Sequence, residues 1–118
     1  MTGARLGGAR ADVSRCIDAS LQCQASCEAG MARLLAQGQT LSSASVRALR
    51  QCAELCELNV RALRKESRLA RHTTNLCFEL SNQVARAAWL DADDASSYSL
   101  ARDALRLARS CRPLLFSF

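Results

Sequence analysis

The stretch CIDASLQCQASCEA, residues 16–29, sets how this chain folds. Its cysteines are separated by seven and then four residues, and a second run, RQCAELCEL at 50–58, separates Cys52 from Cys56 by four. Steps of four and seven return a side chain to the same stripe of an α-helix and disagree with the period of two of a strand. Farther along the chain, Cys77 and Cys111 fall on the same stripes as the Leu, Val and Ala around them, and no Cys-x-x-Cys occurs anywhere. The seven cysteines, Cys16, Cys23, Cys27, Cys52, Cys56, Cys77 and Cys111, therefore read as the inner seam of a helical bundle.

Four helices emerge from the pattern. The first is predicted from Ala11 or Asp12 to Ala36, with Val13, Cys16, Ser20, Cys23, Cys27, Met31 and Leu34 inward and Gly38 as its stop. Ser42 or Ser43 caps the second, which runs to about Lys65 with Val46, Leu49, Cys52, Cys56, Val60 and Leu63 inward. Ser67 is the best cap for a third, reaching about Leu90 with Ala70, Thr74, Cys77, Ser81, Val84 and Ala88 on one line. Asp91, Asp93 and Asp94 suit the positive end of the fourth helix's dipole, and Leu100, Ala104, Leu107 and Cys111 line its inner side before Pro113. The expected fold is all-α, an antiparallel four-helix bundle over residues 11–112. A flexible lead occupies 1–10, and an apolar tail of Leu114, Leu115, Phe116 and Phe118 occupies 113–118.

Composition agrees. Hydrophobic residues make up 49% of 118 residues but aromatics only 4%, so the core is built of Leu, Ala and Cys. The net charge of +5 rests on arginine, with Lys65 the only lysine. Acidic residues interleave with the arginines, as on a solvated face. The Arg102, Arg106 and Arg109 stripe has no aromatics for base stacking, so no nucleic-acid partner is expected. No apolar run is long enough to cross a membrane, and no secretory leader is visible in the first residues, so a cytoplasmic protein with reduced thiols is expected. An odd cysteine count also argues against a closed disulfide framework.

Thiolates are soft ligands that select Cu(I), zinc or iron–sulfur clusters. The pairs Cys23/Cys27 and Cys52/Cys56 place Cβ atoms about 5–6 Å apart, within reach of one linear Cu(I). Tetrahedral zinc needs four ligands converging at one point. The plainer alternative is that each buried cysteine is simply a small hydrophobe. His72, the only histidine, reads as a surface or helix-end residue; the lesser alternative is a metal entry ligand at a bundle mouth, with Met31 as a thioether partner. Glu-x-x-His pairs for a di-iron bundle are absent, as are the common phosphate-loop, hydrolase and zinc-protease motifs.

Residues 16–29 and 50–58 resemble the cysteine-rich four-helix-bundle family that includes the bacterial copper storage proteins. That family steps cysteines down each helix and fills the bundle core with Cu(I)-binding thiolates, and its rhythm covers about residues 12–112 here. Every cysteine lands on it. Ser20, Ser45, Thr74, Ser81, Val84, Ala88, Ser97, Leu100, Ala104 and Leu107 occupy positions where the same rhythm places thiols, which makes this chain a cysteine-depleted member. The resemblance implies a non-enzymatic cytosolic Cu(I)-binding protein of low capacity. Its ligands would be Cys16, Cys23, Cys27, Cys52 and Cys56, then Cys77 and Cys111. The alternative is a metal-free bundle that works by association, for instance as a homo-oligomer through the apolar tail, to which Trp89 and Tyr98 would add.

Overall fold

The computed structural model describes residues 2–90 and 95–116, with side chains from Arg10 onward. Four helices succeed one another: α1 Thr2–Ala36, α2 Ala44–Arg64, α3 Ala70–Leu90 and α4 Ala95–Leu115. Each of α2, α3 and α4 has 21 residues, a rod about 32 Å long. Among the described residues α1 touches α2 and α4, α3 touches α2 and α4, and the diagonal pairs do not meet. The helices thus stand at the corners of a square.

Cross-contacts set their directions. Cys16, Cys23 and Gly30 of α1 lie against Asn59, Cys52 and Leu49 of α2 in turn, and Cys16 and Gly30 against Cys111 and Leu100 of α4. Partner numbers fall as α1 numbers rise, so α1 is antiparallel to both neighbours. Asn59 to Thr73 and Thr74, and Leu55 to Cys77, make α2 antiparallel to α3 in the same way. Gly30 lets α1 come close, since a Cβ there would stand 3.1 Å from Leu49 Cδ1.

The helix ends obey local chemistry. Gly38, at φ +97°, comes after α1, and the Gln39 N–H reaches back to Leu34 O at 3.0 Å. Ser43 caps α2 by accepting the Val46 N–H. Glu66 takes the same left-handed turn after α2, with the Ser67 N–H on Ala62 O. Ser67 Oγ accepts the Leu69 N–H and starts the turn into α3.

Every inward stripe predicted for α2, α3 and α4 is buried, and in α1 only Val13, Met31 and Leu34 are half-buried. Four expectations need correcting. α1 begins at Thr2, not near Ala11, because Ala4, Arg5, Ala9 and Arg10 are good helix formers and extending an existing helix is cheap even through glycine. α4 runs through Pro113 to Leu115, and Leu114 is only 2% exposed, so the start of the expected tail belongs to the bundle. A proline in the last turn forfeits one hydrogen bond, which burying Leu114 offsets. Ser45 is exposed in the first turn of α2, one residue off the inward stripe that starts at Val46. Trp89 and Tyr98 meet in a tilted ring pair with centres 5.8 Å apart, but Tyr98 lies 18 residues, about 27 Å of helix, before Phe116. They therefore form a separate exposed patch at the α3–α4 end. Asp91, Asp93 and Asp94, and Phe118 of the tail, lie outside the described residues.

Candidate metal centre

All seven cysteines are free thiols and none is more than 2% exposed. Their helical stripes bring them together between helices as well as along them. Cys23 Sγ and Cys52 Sγ are 4.0 Å apart across α1 and α2. Cys16 Sγ and Cys111 Sγ are 4.0 Å apart across α1 and α4. The sulfurs of Cys23, Cys27 and Cys52 all lie within 4.8 Å of one another. Thiolate–metal bonds of about 2.3 Å place the sulfurs of a linear pair about 4.6 Å apart and those of a trigonal set about 4.0 Å apart. The triad is therefore already at ligand spacing for a two- or three-coordinate soft ion. No fourth Cys, His, Asp or Glu joins that mutually spaced set among the described residues, although Cys56 lies beside Cys23 and Cys52.

Electrostatics divides the thiols. Cys52 is held well below the usual thiol range because the thiols of Cys23, Cys27 and Cys56 donate to it. Cys27 and Cys56 are pushed up, each by a hydrogen bond with Cys23, then with Cys52, and by burial. Cys16 is lowered by Cys111, against burial and with help from Asn59 and Ser20, and Cys111 is raised by Cys16. Cys77 donates to Leu55 O at 3.6 Å and interacts with Cys56.

The profile of the copper storage protein family matches residues 9–116. The chain belongs to that family. Among solved structures it is similar to the Cu(I)-bound copper storage protein BsCsp3, with TM-score 0.77 and 22% identity over 88% of this chain and 98% of that one. It is also similar to apo-Csp3 from Bacillus subtilis, with TM-score 0.75 and 24% identity over 86% and 97%. At such identity these structures speak for the fold. No curated protein matches the chain.

His72 is a surface residue, as expected, and the lesser alternative of a mouth site with Met31 does not form. His72 is exposed beside Thr73, level with Cys16 and Ser20, whereas Met31 stands eleven residues beyond Ser20, about 16 Å along α1. Sequence reasoning passed over Thr73, 5% exposed and donating to Asn59 Oδ1, and two further buried polar side chains. Asn59 is wholly buried and bonds Cys16 and Ser20. Asp103, 5% exposed, accepts from Ser26 across α1 and α4. The signal was present for both: Asn59 stands one heptad after Cys52, and Asp103 lies between Leu100 and Leu107.

Proposed function

We propose that this member of the copper storage family binds a small number of Cu(I) ions through its core thiolates, in the cytoplasm and without catalysis. The observation that carries the reading is the Cys23–Cys27–Cys52 triad, buried and at two- or three-coordinate spacing. Low capacity is a consequence of composition: seven thiols supply three two-coordinate ions without sharing. Apart from Cys77 and Cys111, no buried residue described on α3 or α4 is a cysteine, and Ser81, Val84, Ala88, Leu100, Ala104 and Leu107 stand at inner positions instead. Among the described residues no helix is long and apolar enough to cross a membrane.

Cu(I) is favoured over zinc because, among the described residues, no fourth ligand shares the triad's mutual spacing. Anaerobic titration of the reduced protein against a competing chelator should give about three tight Cu(I) per chain, and zinc should fail to displace them. Cys23→Ser together with Cys27→Ser should remove a large part of that capacity. Unchanged stoichiometry in the double variant would move the site elsewhere, and no binding by the wild type would leave a metal-free bundle.

A further inference from the structure

Asn59 sits on the α2 stripe where Val or Leu would bury without a polar cost, and it is wholly buried. All four hydrogen-bonding positions of its carboxamide are used. Nδ2 donates to Cys16 Sγ at 3.8 Å and to Ser20 Oγ at 3.3 Å. Oδ1 accepts from Thr73 Oγ1 at 2.7 Å and from Thr74 Oγ1 at 3.0 Å. Cys16 in turn meets Cys111, so one polar layer joins all four helices around a single sulfur.

A metal-bound thiolate has no proton and can only accept, so it demands the NH2 side of the amide; the carbonyl side would repel it. Thr73 and Thr74 hold the oxygen on the far side and so keep the NH2 turned toward sulfur. An N–H bond also occupies a lone pair of that sulfur, which suits a terminal ligand better than one bridging two ions. Cys16 stands seven residues, about 10.5 Å of helix, from Cys23 and the triad.

We infer that Asn59 is a positioning residue, holding Cys16 as the terminal ligand of one Cu(I) ion shared with Cys111, in a subsite separate from the Cys23–Cys27–Cys52 set. This rests on the Cu(I) reading above.

The test is Cu(I) titration of the reduced full chain against a competing chelator, tracking the thiolate-to-copper absorbance per equivalent, with helix content measured in parallel. Asn59→Asp keeps the size and the oxygen that serves the threonines but replaces the donor N–H with carboxylate oxygen. It should weaken one equivalent by about 10–100-fold and leave the others at wild-type affinity. A merely structural role would instead lower helix content or weaken every equivalent together, and either result, or no change at all, overturns the assignment. Should Asn59→Asp fail to fold, the cysteines decide. Cys16→Ser and Cys111→Ser should each remove the same single equivalent and their combination no more, whereas loss of two equivalents in the combination overturns the shared subsite. A wild type that takes up no Cu(I) overturns the function itself, while a wild type that binds and an indifferent Asn59→Asp overturn only this inference.

Discussion

Seven thiols in one apolar core cannot all ionise together, because each new thiolate meets burial and the charge of its neighbours. The thiols of Cys23, Cys27 and Cys56 lower Cys52, while Cys23 and Cys52 raise Cys27. A Cu(I) ion bound by thiolates displaces thiol protons, so its apparent affinity should rise with pH, which chelator competition at pH 6, 7 and 8 would measure; an affinity that does not rise would count against thiolate ligation. The apo-protein should respond oppositely at high pH. In the unfolded chain thiols ionise near 9.0, while Cys27, Cys56 and Cys111 are raised above that value when folded. Their contribution to stability is complete below pH 9 and declines as pH rises past it, whereas Cys16 and Cys52, which are lowered, add stability as pH rises toward 9 and nothing further beyond it. Thermal melts of the metal-free protein should show Tm falling above pH 9, and a Tm that climbs there would contradict the division of charge. The inward placement of the thiols was legible because a spacing of four or seven is a geometric statement about a helix. Pairing between helices, such as Cys16 with Cys111, was not, because the vertical offset of one helix against another is absent from any single stripe.

Among the elements, helix identity was readable and helix ends less so. Gly38 and Ser43 announced themselves, since each residue type answers a specific need for left-handed backbone or for an acceptor over free N–H groups. Glu66 did not, because a glutamate gives no hint that it will adopt φ 52°. That conformation costs a side-chain-bearing residue about 1–2 kcal/mol, whereas glycine enters it freely at the expense of more entropy in the unfolded chain. Glu66→Gly should therefore stabilise the bundle by about 0.5–1 kcal/mol, read as a higher urea midpoint with unchanged slope. A lower midpoint would show that the Glu66 side chain contributes more than its backbone costs. The start of α1 was misjudged for a related reason. Gly3, Gly7 and Gly8 suggest a lead, but glycine only weakens a helix by about 1 kcal/mol per residue, and a strong helix downstream carries it through.

In the molecule as a whole, apolar side chains and thiols fill the core. Leu107, Val46, Ala104 and the thiols are buried, and no buried side-chain nitrogen or oxygen among the described residues lacks a partner. A folded apo-protein with cooperative melting is expected, and bound Cu(I) then raises Tm by mass action in proportion to the affinity of the native state. The same packing determines how the C-terminus has to be tested. Leu114 is packed inside α4, so cutting before it removes core and would mimic a loss of association by unfolding the last turn. Burying a leucine is worth about 1.5–3 kcal/mol, a large part of the stability of a small domain. Phe116 is different: it stands 86% exposed just beyond the helix. A chain ending at Leu115 should keep the wild-type Tm to within a few degrees. If the last three residues, Phe116 to Phe118, join two copies, light scattering should show this truncated chain falling to the mass of a monomer while the full chain does not. Equal masses for the two would place Phe116 to Phe118 outside any assembly and leave the tilted pair of Trp89 and Tyr98, about 27 Å away along α4, as the exposed aromatic surface to vary next.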